Sequence, residues 1–183
     1  MHGGQRVVII GAGAIAFDMV EFLLGEEPHR PPELAAFAAE YGLDLSAQLP
    51  GGRSDRKAQL PARRQITILQ RSDRRPGASL GLTTGWIRRD KLQRFGVQIL
   101  TGVQTRSIDA EGVHLTTKAG ESRSLACDTV IVCAGQEPVR DLATALRQAA
   151  PGLPVHVIGG ADQAAELDAR RAIDQASRLA AVI

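Results

Sequence analysis

The sequence predicts an α/β fold: a parallel sheet with helices on both faces, followed by a three-stranded antiparallel meander. Three observations predict it. The run Arg6-Val7-Val8-Ile9-Ile10 passes straight into Gly11-Ala12-Gly13-Ala14-Ile15-Ala16 and then into a segment with helical apolar spacing. Gln65–Gln70, Val97–Leu100 and Thr129–Cys133 are further short β-type runs, separated by longer stretches. Between the last two, Val103–Ile108, Gly112–Thr117 and Ser122–Ala126 alternate with a period of two, and Ala110-Glu111-Gly112 and Ala119-Gly120 supply the turns.

The first strand covers about 6–10 and the first helix about 14–24, with Phe17, Val20, Phe22, Leu23 and Leu24 on a broad apolar face. Between them, G-x-G-x-x-A after a strand and before a helix is the dinucleotide-binding fingerprint, and the fold it implies is Rossmann-like. Gly11 allows the sharp turn off the strand, and Gly13 lets the backbone approach a pyrophosphate. Ala16 lets helix and strand pack closely, while the helix start at Ala14 and Ile15 offers N–H groups and a positive dipole end.

The next strand would normally follow within a few residues, but roughly forty intervene, read as an insertion over about 26–64. Pro28, Pro31 and Pro32 break the chain there, Pro32–Tyr41 has a helical pattern, and Leu49–Ala62 is irregular. Gln65–Gln70 is the displaced second strand, followed by a loop at Arg71–Leu82, a helix over about 84–95 and the Val97–Leu100 strand. After the meander and Thr129–Cys133 come a helix (about 139–149), a strand at Val155–Ile158, a Gly159-Gly160 turn and a long helix (about 163–182).

Composition excludes several classes. The 183 residues are 44% hydrophobic and 23% charged with a net charge of +2, which gives no global bias toward nucleic acid or membrane. Aromatic content of 3% makes the core aliphatic. No apolar segment approaches a membrane span and no signal peptide is visible, so a cytoplasmic location is the default expectation. Cys127 and Cys133 are too few for a metal cage or disulfide framework. Locally the charge is uneven: Arg53–Arg94 holds twelve Lys or Arg against three Asp, an excess of nine that is either a solvated face or a phosphate site.

The end of the second strand chooses the coenzyme. An acid there binds a free ribose 2′-OH, and a cation favours a 2′-phosphate. Arg71 stands where the acid would be, and its guanidinium can fork a phosphate, with Ser72 or Arg74 as second donors. Arg74 and Arg75 are equally readable as solvated loop, and Asp73 either pairs with a neighbouring Arg or meets the ribose. One of Thr83 and Thr84 is expected to cap the following helix with its hydroxyl, and Trp86 to pack.

Four segments resemble one family. Val8–Glu21, Ile68–Arg88 with LTTGWIR, Val130–Pro138 with CAGQEP, and Val155–Ile173 with GGAD…ELDARRAI are similar to the C-terminal part of bacterial NADPH-dependent 2,4-dienoyl-CoA reductase. Leu34–Ser46 in the insertion is similar as well. That family consists of iron–sulfur flavoenzymes related to old yellow enzyme. The resemblance implies an N-terminal TIM barrel with FMN and a 4Fe–4S cluster, all absent from this chain, then an FAD domain with an NADPH domain nested within it. On that pattern residues 1–137 are the NADPH domain and 138–183 the returning segment of the FAD domain, whose first half is also absent. Ala134 and Gly135 then lie at the crossing between domains, and Gly160, Ala161 and Asp162 face FAD. Asp162 reads equally as an N-cap of the last helix.

The resemblance thus implies a module that presents NADPH for hydride transfer to FAD, its partners being the coenzyme and the missing flavin and barrel portion. The alternative is a stand-alone nucleotide-binding subunit or sensor paired with a separate flavoprotein. A third reading, an NAD-linked enzyme of the disulfide-reductase type, lacks a CxxxxC pair. No catalytic or metal residue is expected. None of His2, His29, His114 and His156 pairs by spacing with a Cys, Asp or Glu in a metal or triad pattern.

Overall fold

The computed structural model describes residues 4–25, 33–53, 59–60, 62–78, 80–81, 83–164 and 169–183. His2, His29, the three prolines of the insertion, Leu82, Glu166 and Asp168 lie outside them. The chain separates into two compact units, Met1–Ala134 and Gly135–Ile183.

In the first unit, β1 (Arg6–Ile10) leads to α1 (Ala14–Leu24), α2 (Leu34–Tyr41) and a short 3-10 turn at Pro50–Gly52. Then follow β2 (Gln65–Gln70), α3 (Gly85–Arg94), β3 (Gln98–Thr101), β4 (Gln104–Asp109), β5 (Gly112–Thr116), β6 (Ser122–Leu125) and β7 (Thr129–Val132). The parallel sheet runs in the order β3-β2-β1-β7, and β4-β5-β6 form a separate antiparallel sheet. Ile10 pairs with Leu69 of β2 on one side and with Val132 of β7 on the other, so these strand ends stand in line. This is the order of half a doubly wound nucleotide-binding sheet, whose ligand edge is the C-terminal one.

Alternation along the strands divides the core. Val7, Ile9, Ile66 and Ile68 face α1 and α3, burying Phe17, Val20, Leu92 and Phe95. Val8 and Leu69 face the other way, onto Val113 and Leu115 of the meander. The expected α/β class with a parallel sheet and meander is present. The second face is covered by the antiparallel sheet rather than by a helix, because its apolar side (Val103, Val113, Leu115) needs burial as much as a helix stripe would. Each fully buried aliphatic or aromatic side chain contributes roughly 1.5–3 kcal/mol.

The strand ends opposite the ligand edge are tied by charge. Arg6 Nη2 donates to Asp128 Oδ1 at 2.6 Å, and Asp128 N–H donates to Arg6 O at 2.9 Å. In the insertion, α2 is fastened to α3: buried Arg94 donates to Glu40 O at 2.6 Å and to Glu40 Oε1 at 2.8 Å, with its guanidinium over the Tyr41 ring. Asp44 then closes a turn, accepting from Ser46 N–H at 3.0 Å and Leu49 N–H at 2.7 Å. No helix among the described residues is long and apolar enough to cross a membrane.

The second unit comprises α4 (Asp141–Ala149), a 3-10 turn at Gly159–Ala161 and α5 (Ala169–Ala180). Two expectations are corrected here. Val155–Ile158 forms no strand: an extended segment needs a neighbour for its N–H and C=O groups, and the described residues of this unit contain no other strand. Gln163 and Ala164 are non-helical, so the last helix begins later than about 163, and Asp162 does not cap it.

Candidate functional site

The turn off β1 is built around Gly11. Its φ is +111°, and its N–H donates to Leu69 O at 2.8 Å. A Cβ there would lie 2.7 Å from Cys133 O and 3.0 Å from Ala134 Cβ, so only glycine fits. Gly13 differs. It is the N-cap of α1 at φ −83° and ψ −176°, a conformation open to any residue, and among the described residues no atom beyond its own chain neighbours lies within 4 Å of where its Cβ would be. Open space above a helix N-cap is room for a ligand to meet the backbone. No side chain caps the helix and no acid stands in its first turn, so its first N–H groups remain available. Ala14 and Ile15 are exposed there, whereas Ala16 is completely buried beneath the helix.

The β2 end stands beside this turn. Arg71, Ser72, Asp73, Arg74 and Arg75 are all exposed. Asp73 is ion-paired with Lys118 from the meander, rather than with a neighbouring Arg. Its carboxylate in turn holds the Lys118 ammonium above its ordinary range, chiefly through the hydrogen bond. Among the described residues Arg71, Arg74 and Arg75 have no ion-pair partner. Other cations of the basic stretch are committed: Arg88 pairs with Asp18 and, at 2.9 Å, with Glu21 across α1, and Arg94 with Glu40. The local charge excess is therefore partly a set of internal braces, while the three arginines of 71–75 carry no ion pair among the described residues.

Sequence reasoning missed two residues here. Gln70, the last residue of an interior strand, is only 9% exposed, and its Nε2 donates to Ser72 O, Ser72 Oγ and Arg74 O at 2.8, 3.2 and 2.5 Å. A buried polar residue ending an apolar run had to find partners, which was a usable signal. Gly77 N–H donates to Ala12 O at 3.1 Å, returning the loop to the glycine turn. Thr84 is the N-cap of α3, but through its backbone: its hydroxyl makes no cap bond. Trp86 is 56% exposed and does not serve as core packing.

Ala134 ends the first unit next to Gly11; Gly135, at φ +80°, opens the second. Within the second unit, the Gly160-Ala161-Asp162 turn is held from two sides. Arg140 Nε donates to Ala161 O at 2.9 Å, and Gln175 Nε2 donates to Asp162 Oδ2 at 2.9 Å. His156 lines a cavity of about 480 Å³ in the same unit with Arg140, Arg147 and Asp162.

One histidine meets an acid through the folded meander, which its spacing in the sequence does not announce. His114 Nε2 lies 2.7 Å from Asp109 Oδ2, and its Nδ1 lies 2.9 Å from Ser124 Oγ. The β4–β5 turn brings Asp109 back onto His114, and strand pairing sets Ser124 opposite. Asp109, Glu111 and His114 present ligand atoms within 4.8 Å of one another, but both imidazole nitrogens are already bonded and the carboxylates are exposed. This set braces a hairpin. The two thiols are half-buried on opposite faces: Cys127 packs on the meander face of the sheet and Cys133 on the helix face, and burial pushes both up, which disfavours the reactive thiolate.

With this geometry in view, the comparisons with known proteins are informative. The profile described as pyridine nucleotide-disulphide oxidoreductase matches residues 2–161. A protein called metal reductase from Desulforamulus reducens is 27% identical over 144 residues, 79% of this chain and 20% of that protein. Among solved structures, a 2-naphthoyl-CoA reductase complex matches all of the chain and 22% of its own length, at TM-score 0.62 and 20% identity. Histamine dehydrogenase from Rhizobium sp. 4-9 matches 97% of the chain and 23% of its own length, at TM-score 0.63 and 17% identity. These two likenesses concern the fold. The chain spans about a fifth of the length of each of these three proteins.

Proposed function

The chain belongs to the pyridine nucleotide-disulphide oxidoreductase family, and from that premise we propose that it is an NADPH-binding redox module. The pyrophosphate would lie over Gly11, Gly13 and the α1 start at Ala14–Ala16. The 2′-phosphate would be held by Arg71, Ser72 and Arg74. One observation carries the reading: beside a glycine turn with open space above Gly13, the β2 end exposes arginines that no described carboxylate neutralises. A carboxylate at this position would repel a 2′-phosphate, whereas a guanidinium forks it.

When bound, NADPH supplies a hydride, which in this reading passes to an FAD held partly by Gly160, Ala161 and Asp162 and mostly by protein outside this chain. In this reading the residues of this chain named here bind and orient the coenzyme. Asp128, Asp109 and Glu40 are engaged in structural pairs, and the two half-buried cysteines pack on opposite faces of the parallel sheet. At the level of the whole protein we propose a 2,4-dienoyl-CoA-reductase-like flavoenzyme, with residues 1–137 as its NADPH domain and 138–183 as the returning FAD segment. The FMN and 4Fe–4S cluster would belong to the barrel portion. The support is the combination of LTTGWIR, CAGQEP and GGAD…ELDARRAI.

The test is a paired titration of the chain with NADPH and NADH, repeated on Arg71→Ala. Tighter binding of NADPH that disappears in the variant is the expected result. Equal affinity for both coenzymes in the unsubstituted chain, or a preference that survives Arg71→Ala, would remove the assignment.

A further inference from the structure

We propose that Gln70 and the Asp73–Lys118 pair are positioning residues for coenzyme choice: together they shape and unmask the Arg71–Arg75 loop for a 2′-phosphate. The proposal rests on the coenzyme reading above, and its test separates the two.

Two functions are divided between these groups. The first is shape. β2 lies between β1 and β3, so the Gln70 side chain has little access to water and its amide must be satisfied by protein. Three oxygens surround one end of that amide, Ser72 O, Ser72 Oγ and Arg74 O, which identifies that end as the NH2 donor. These bonds turn residues 72–74 back over the strand instead of letting the chain run on. Ser72 O also accepts from Gly102 N–H at 3.3 Å, and Val103 N–H donates to Gln70 O at 3.1 Å. With Gly77 N–H on Ala12 O, the loop is fixed at both ends and the Arg71 and Arg74 backbones are set before any ligand arrives. Pre-ordering lowers the entropy that binding must otherwise overcome.

The second function is charge. Asp73 is the one acid among residues 71–75, and left free it would pair with a neighbouring arginine and repel a phosphate. Lys118 reaches across from the meander and occupies it. The antiparallel sheet thus contributes more than a second core face: it takes the anion out of a cationic loop.

The experiment uses the full chain and measures dissociation constants for NADPH and NADH, with thermal melting as a check on folding. Gln70→Leu removes the amide at similar bulk, and Lys118→Met releases Asp73. Each is expected to weaken NADPH about tenfold or somewhat less while leaving NADH within about twofold. Adding Asp73→Asn to Lys118→Met is expected to restore NADPH binding, because the freed carboxylate is then gone. An unchanged NADPH-to-NADH ratio in both single variants, or an equal loss for both coenzymes, overturns the proposal. Failure of Asp73→Asn to rescue overturns its electrostatic half. Should Gln70→Leu not fold, the Lys118 and Asp73 variants, whose side chains are exposed, decide the matter. Absence of any NADPH preference in the unsubstituted chain overturns the coenzyme reading itself, and this proposal with it.

Discussion

Two glycines two residues apart are expected to fail in opposite ways when given a methyl group. At Gly11, φ is +111° and a Cβ would stand 2.7 Å from the Cys133 carbonyl oxygen. Backbone strain of about 1–3 kcal/mol and a clash of similar size give Gly11→Ala a cost of about 3 kcal/mol. For a unit of this size that corresponds to a melting temperature lower by roughly 10 °C. At Gly13 the backbone is ordinary and the Cβ position is empty, so Gly13→Ala strains nothing in the free chain. Alanine is a poorer N-cap by up to about 1 kcal/mol, partly offset by the smaller entropy of the unfolded chain, so melting should move by no more than about 2 °C. The methyl would instead occupy the space assigned to the pyrophosphate and weaken NADPH about ten- to a hundredfold, or roughly 1.4–2.8 kcal/mol. Scanning calorimetry and a fluorescence titration of each variant separate the two effects. Unchanged coenzyme affinity in Gly13→Ala, or a melting loss as large as that of Gly11→Ala, would refute the reasoning.

Three further outcomes follow from the braces. The Asp128 carboxyl is lowered to about 2, first by its hydrogen bond with Arg6, and its unfolded value is about 3.9. A depressed carboxylate stabilises above its unfolded value and loses that contribution as pH falls toward the folded one. The urea midpoints of the unsubstituted chain and Asp128→Asn should therefore differ at neutral pH and converge between about pH 4 and pH 2; a constant gap would contradict the pairing. Arg94→Met leaves Glu40 without its cation and should cost about 2 kcal/mol, with faster amide exchange confined to Leu34–Tyr41; exchange unchanged there would show that α2 is held by something else. Cys127 and Cys133 should react slowly with a thiol reagent until the chain is denatured, and no bond between them should form on oxidation.

Local pattern carried the first unit a long way. Apolar runs of four to six residues placed β1, β2, β3 and β7 to within a residue or two, and Gly11 and Gly13 marked the turn in front of α1. What local pattern did not carry was partnership at long range. Asp73 and Lys118 are 45 residues apart, and nothing near either one announces the other. His114 looked solitary because its contacts with Asp109 and Ser124 arise only once the meander's register is fixed. Val155–Ile158 has the composition of a strand, but strand structure belongs to a pair of segments, and the described residues of the second unit hold no mate. Gln70 was legible in principle, as a polar residue closing an interior strand.

The central claim is that one edge of the first unit holds both the pyrophosphate and the 2′-phosphate of NADPH. Amide chemical-shift mapping of the ¹⁵N-labelled chain with NADP⁺, and in parallel with 2′,5′-ADP, tests it directly. Both ligands are expected to move Gly11–Ala16 and Gln70–Arg75 together, and 5′-ADP to move the first group without the second. Shifts centred elsewhere, or identical maps for 2′,5′-ADP and 5′-ADP, would contradict the claim.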